Sequence, residues 1–419
     1  VTTALEQVWQ LLDDGEMAAA FLALRRVAEE CELIDVMRVI ERSARMMDFE
    51  DLAATAQAAR LEPENPVALY EFGIGCRQHG VAYAAIPALR ECVRIAPGQP
   101  APLAALIDAL ELEYHHGEAV AQLRAQPAVL GWWGEFLLAH NLLLTGDIDT
   151  ARSEFEAMAR PVESNAEWAH GRLRRMLARA ELATPGERDL RGWHFVLQGG
   201  YLTYLSPHGF DEGMNGRFAY TQGSNQQVRL GLRRLAMILE LTGHRPTSVS
   251  ALPGRHSAVL GHAAAAFLDL PLEPFRPDRT DTVLVAYDLT EFEQELVGAL
   301  RERATGQILF EHATCWVGGP AVPADISTCL VQLNVPPWAG RNRVVDGELV
   351  QDPADDRPAA EIAADILAGA DPGESNIEAD PHDSEADLRN FVVATAARWG
   401  CDPRDFLDSP GPVRSSRFG

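Results

Sequence analysis

A chain of 419 residues with 47% hydrophobic content has room for two or three domains. It carries no apolar run of about 18 residues or more that would cross a membrane. Its formal charge of −25 argues against nucleic acid and anionic membrane surfaces as partners, since both need a basic face, and favours solubility and a basic protein partner. All 36 basic residues are arginine. That excludes a Schiff-base lysine, and with it the usual pyridoxal-phosphate chemistry. It also excludes the Walker-type and kinase-type phosphoryl-transfer machines, each of which sets a lysine on phosphate.

The first stretch, VTTALEQVWQLLDDGE (1–16), has no basic segment followed by an apolar core, so it reads as an amphipathic helix rather than a signal peptide. The six cysteines, Cys31, Cys76, Cys92, Cys315, Cys329 and Cys401, form no CxxC pair. Neither a zinc ribbon nor a thioredoxin-type site is signalled, no metal site is expected, and the setting implied is reducing and cytoplasmic.

Helical patterning then recurs. Pro63 and Pro97 end similar phrases, AARLEPENP and CVRIAPGQP, about 34 residues apart. From Pro66, the residues Leu69, Phe72, Gly73 and Cys76 fall on a first helix and Gly80 on a turn. Ala85, Leu89 and Cys92 fall on a second helix. Gly80 gives the turn its permissive backbone, and Ala85 lets the helices approach closely. Looser units cover 1–31 (Gly15, Ala20, Leu24) and 32–65 (Ala58 and Pro63, without the turn glycine). Others start at Pro100 (Leu103, Leu106, Leu110, Ala119, Leu123) and Trp132 (Leu138, Ala139, Gly146, Ala151, Phe155). A last helix, Glu167–Leu182, is expected to cap the stack. Trp132 and Trp133 are expected to pack between repeats, and His115 and His116 to be solvated near a turn. This pattern resembles the tetratricopeptide repeat, which implies a helical array over 1–182 that holds a protein or peptide partner in a groove.

ATPGERD (183–189) marks a boundary, and 190–340 reads as an α/β domain. GWHFVLQGGYLTYLSP (192–207) has strand character, and 208–225 is a polar, Gly-rich loop with His208, Asp211, Glu212, Asn215, Arg217 and Tyr220. A helix over 226–243 leads into the strand PTSVSAL, a turn and helix from Pro253, and a short strand PLEPF. The apolar strand DTVLVAYDL comes next, then a helix from Thr290 as N-cap, and the strands QILFEHATCWV and ISTCLVQLNV. This alternation predicts a mainly parallel, Rossmann-like or phosphoribosyltransferase-like sheet, with helices on both faces and ligands at the carboxyl ends of its strands. The acidic tail, 341–419, holds two further helices that pack on or flank the domain.

Two strand-to-helix turns stand out. At Gly254-Arg255-His256-Ser257, a glycine, a guanidinium fork and a helix N-terminus suit an anion. At Asp288-Leu289-Thr290, an acid ends the strongest strand. This order resembles type I phosphoribosyltransferases. The resemblance sets Gly254 and Arg255 in the pyrophosphate loop, Asp288 at the second of two strand-end acids, and Thr290 among the phosphate-loop hydroxyls. The chain departs from that family at Tyr287, which stands for the first acid, and at Glu291 and Phe292, which stand where Gly and Thr would cradle a phosphate. GHAAAAFLDLP (261–271) also resembles glycosyltransferases joined to such repeats, which makes His256 and His262 candidate site histidines.

The sequence thus reads as an adaptor whose α/β domain binds a small phosphate- or nucleotide-like anion through Gly254, Arg255, His256, Ser257, Thr290, His208 and Arg217. The alternative is a phosphoribosyl- or glycosyl-type transferase with Asp211, Glu212 and Asp288 as catalytic candidates. No cofactor is singled out.

Overall fold

The computed structural model describes residues 2–207, 213–345, 348–368 and 383–415. The chain forms two compact units, Val1–His170 and Gly171–Gly419, and the division falls within one long helix.

The first unit is all helical. Its pairs are α1 (Thr2–Asp13) and α2 (Met17–Val27), α3 (Leu33–Met46) and α4 (Glu50–Leu61), α5 (Pro66–Gln78) and α6 (Ala82–Ile95), α7 (Pro100–Leu112) and α8 (His116–Ala125), and α9 (Trp132–Leu144) and α10 (Ile148–Ala157). The dividing helix is α11 (Ser164–Ala183). The repeat is physical as well as textual, because all five intra-pair turns are built alike. A residue at positive φ (Gly15, Asp48, Gly80, Tyr114, Gly146) is followed by an amide that donates to the carbonyl five residues back. Those bonds run Glu16 to Leu11, Phe49 to Ala44, Val81 to Cys76, His115 to Leu110 and Asp147 to Leu142. This is the six-to-one closure of a Schellman end.

Where the second helix pair lacks a turn glycine, Asp48 takes the left-handed conformation, and in the fourth pair Tyr114 does so. The small position of the second pair is the buried Ala53, not the exposed Ala58, since it lies at the same distance past the turn as Ala20, Ala85, Ala119 and Ala151. One continuous apolar core runs from Val8 to Leu123, as expected when no pair can bury its apolar face alone.

The first pair departs from simple stacking. α2 and the residues just after it lie against the turn ends of the three following pairs. Phe21 and Leu22 share a cavity wall with Met47 and Phe49 at one turn and His79–Val81 at the next. Arg25 pairs with Glu113 at the third turn (2.8 Å), and Glu29 lies 3.3 Å from His115. His116 is buried, not solvated, and bonds Asn141 through Nδ1 (2.8 Å). Trp133 is exposed, while Trp132 stacks on Phe136 and donates to the Ala159 carbonyl.

The second unit holds a parallel sheet. Its strands are β1 (Tyr201–Leu202), β2 (Phe218–Gln222), β3 (Ser248–Ala251), β4 (Thr282–Ala286), β5 (Ile308–Thr314) and β6 (Ile326–Val335). The order is β1-β6-β5-β4-β3, with β2 pairing the second half of β6. From β3 to β6 the chain steps across the sheet in sequence order, and every pairing is parallel. α12 (Leu190–Gln198) precedes β1; α13 (Asn225–Thr242) carries the chain from β2 to β3, and α14 (Arg255–Leu268) joins β3 to β4.

Alternation sends Val249, Val283, Val285, Tyr287, Ile308 and Phe310 to one face. There they meet α13, α14, α16 (Ala359–Ala368) and α17 (Glu385–Thr395). The opposite face packs Leu284, Ala286 and Leu309 against Leu289, Val297, Leu300 and Val322. Both tail helices therefore cover the sheet, after an antiparallel hairpin of β7 (Arg341–Val345) and β8 (Glu348–Asp352) that the sequence did not signal.

Four local expectations fail in the sheet unit. The aromatic run after Gly192 is not a strand but α12, started by Asp189, which accepts from the Gly192 amide, and ended by Gly199 in the left-handed region. The loop expected over 208–225 contains β2, which finds a partner only because β6 is long. The helix expected from Thr290 is a 3₁₀ turn, Leu289–Glu291, followed by a short α15 (Gln294–Gly298). Its cap is Asp288, which accepts from the Thr290 amide. PLEPF contributes only one bridge, Leu272 to Val249.

Candidate functional site

The carboxyl ends of β3, β4 and β5 bring several of the expected residues together. Gly254 is the N-cap of α14, and Ser257, in the first turn, accepts from the Tyr287 amide at the end of β4 (3.1 Å). Asp288 accepts from both the amide and the hydroxyl of Thr290. Next to them, Glu311 on β5 is fully buried, and it accepts from the Leu289 amide (2.6 Å) and the Thr314 hydroxyl. Burial, and then the neighbouring Asp288, push the Glu311 carboxyl up to about 8. Burial likewise raises Asp288.

On the helix-covered face of the sheet lies an aromatic plate centred on Tyr287. Its ring is 5.9 Å from His256, 5.1 Å from His312 and 5.3 Å from Trp338. Its hydroxyl accepts from Asn334 (3.1 Å), whose own oxygen accepts from Thr221. A side chain at Gly223 would press on that hydroxyl. The Trp338 indole donates to Nδ1 of His256 (2.9 Å). An indole N–H can only donate, so His256 is neutral with its proton on Nε2. Burial, and then Arg255, lower its pKa in the same sense. Burial also raises Tyr287 far above its ordinary value, which keeps it a phenol.

The two guanidiniums expected to hold an anion are committed elsewhere. Arg255 donates to the carbonyls of Asp355 and Arg357, tying that segment to the head of α14. Arg217 is buried, donates to the carbonyls of Val413 and Met214, and lies over the Trp316 ring. His208, Asp211 and Glu212 lie outside the described residues. Asn334, Trp338 and Glu311 were missed as members of this cluster. Only the apolar setting of Glu311 within ILFEHAT could have flagged it, as a charge on a buried strand.

The first unit contains a different kind of site. A cavity of about 390 Å³ opens between α2, the end of α3, and the turns before α4 and α6. Phe21, Leu22, Ile40, Met47, Phe49 and Leu52 give it apolar walls, and Leu22 (59% exposed) and Phe49 (38%) form an apolar rim. Arg25, Ser43, His79 and Tyr83 are its polar lining. Just past the end of α2, Glu29 lies with His115 and Glu118 so that three ligand-type atoms fall within 4.8 Å of one another. Arg90 already donates to both of those carboxylates.

No protein-family model matches the chain, and no curated protein matches it. The reading of function therefore rests on geometry.

Proposed function

We infer that the chain is a recognition scaffold of tetratricopeptide type, whose helical unit holds a segment of a partner protein by an apolar anchor. The observation that carries this reading is the cavity beneath α2, with its apolar walls and exposed apolar rim. Its volume of about 390 Å³ falls in the range of about 300–1,000 Å³ common to ligand pockets.

Peptides selected from a random display library against the intact chain test the reading by fluorescence anisotropy. Leu22→Asp, at the exposed rim, should weaken the selected peptides by at least about tenfold. Equal affinity in the variant, or photo-crosslinks that map only to 171–419, would refute it.

A further inference from the structure

In a chain of net charge −25, one groove of the helical unit is basic. It has a volume of about 450 Å³ and is walled by α1, α3 and α4. Four of its seven lining residues are arginines: Arg38, Arg42 and Arg45 on α3, and Arg60 on α4. The three on α3 recur at i, i+4 and i+7, so they share one face of the helix. The only carboxylate in the lining, Glu41, is 6% exposed and is shared by Arg45 and Arg60, each at 2.8 Å. Arg38 and Arg42 pair with Asp35 (3.1 Å) and Asp13 (2.6 Å), and these two pairs are open to water. Three carboxylates thus meet four guanidiniums, and each guanidinium gives one of its five N–H groups to its pair. Trp9, with Arg42 over its ring at 5.7 Å, and the exposed Met46 are the apolar members of the lining.

We propose that this groove binds an acidic, extended segment of a partner protein. Two of its carboxylates, three residues apart, sit on Arg38 and Arg45, and an apolar side chain lies against Trp9 and Met46. Charge complementarity selects this occupant. A cationic segment would meet unbalanced guanidiniums, and a neutral one would gain little from N–H groups already in water. Exposed ion pairs such as Arg38 with Asp35 contribute little, so an incoming carboxylate competes with them readily. Guanidiniums also hold carboxylates through two parallel N–H groups. The spacing follows from geometry: two helical turns from Arg38 to Arg45 rise about 10 Å, and three residues of extended chain span about the same. Nucleic acid is the other polyanion, but the chain's own charge of −25 opposes a long phosphate backbone. The groove shares no lining residue with the cavity beneath α2, so the proposal goes beyond the apolar anchor and is tested apart from it.

The test uses the full chain in isothermal titration calorimetry, with two end-blocked hexapeptides that differ only in charge. One carries glutamates three residues apart around a leucine and a tryptophan, and its twin carries glutamines in their place. The acidic peptide should bind at least about tenfold tighter than its twin at about 50 mM salt, and should lose most of that advantage by about 500 mM. Arg38→Gln combined with Arg45→Gln should weaken it by at least about tenfold. Both side chains are about half exposed and Arg60 still pairs with Glu41, so the melting temperature should hold. Arg94→Gln, which removes an exposed charge on α6 outside the groove, should leave the affinity unchanged, and so should Leu22→Asp at the rim of the apolar cavity. The proposal is overturned if the two peptides bind alike or not at all, or if Arg94→Gln or Leu22→Asp weakens the acidic peptide as much as the double variant does. It is overturned as well if a thymidylate 12-mer binds more tightly than the acidic peptide and is lost in the double variant, since the occupant would then be a nucleic acid.

Discussion

Arg25, near the end of α2, and Glu113, at the turn between α7 and α8, form an ion pair of 2.8 Å that fastens the first helix pair to the fourth. Glu113 is only a tenth exposed, so its partner cannot be replaced fully by water. Arg25→Ala should cost about 1 kcal/mol. The loss should also show as faster amide hydrogen exchange across α2 than across α5 and α6. Equal protection in the variant would mean that apolar contacts alone hold α2 in place.

Asp48 occupies the turn position that glycine fills in the first, third and fifth pairs, at φ +60°. A side chain is strained there, and glycine is not. Asp48→Gly should therefore stabilise the helical unit by about 0.5–1 kcal/mol. Urea unfolding followed by far-UV circular dichroism checks the sign. A loss of stability would show that the Asp48 side chain makes an interaction worth more than the strain.

Asp325, at the head of β6, is bound by two guanidiniums, Arg404 (2.7 Å) and Arg303 (2.7 Å), and by the Leu309 amide (2.8 Å). Those partners hold its carboxyl below the ordinary range despite complete burial. Asp325→Ala should cost about 3–5 kcal/mol, because it strands Arg404, itself 2% exposed, without its counter-charge. Calorimetry should show the loss as a lower melting temperature of the sheet unit.

Glu311 and His312 give the sheet unit opposite pH limbs. Burial depresses His312 to about 4, so its contribution is complete above its unfolded value near 6.5 and is lost as pH falls from there toward 4. Glu311 is raised to about 8 from an ordinary 4.5, so the folded state binds the extra proton between those values. Stability then falls as pH rises through that window. Glu311→Gln should flatten the upper limb and stabilise the protein at pH 8.5 by on the order of 2 kcal/mol. His312→Gln should flatten the lower limb. Unfolding free energies in urea at pH 4.5, 6.5 and 8.5 measure both slopes, and unchanged slopes in the variants would assign the pH dependence to other groups.

Much of the architecture was legible because it follows from local chemistry. Five helix pairs, the strands β3 to β6 in their order, α14 and the two tail helices all follow from apolar period and from turn residues. Two of the failures had local reasons, while β2 formed through its distant pairing with β6. Asp189 and Gly199 cap an aromatic segment into a helix, and Asp288 takes the capping role expected of Thr290. The cluster around Tyr287 was half visible: Ser257, His256 and Asp288 lie on turns that a parallel sheet makes prominent, whereas Asn334, at the end of β6, and Trp338, just beyond it, carry no signature of their own.

The sequence by itself determined that the chain is a helical repeat followed by a parallel sheet, because patterning and turn geometry are properties of neighbours along the chain. Only tertiary structure decided where the charged and polar side chains are used. Arg255 is drawn from an anion-ready turn to two carbonyls a hundred residues away in the chain. α2 is drawn across three turns by Arg25 and its apolar face, leaving Ser43 and Tyr83 to line one cavity. A guanidinium or a hydroxyl binds whatever acceptor the fold delivers, and that delivery depends on distances in space that no spacing in the sequence records.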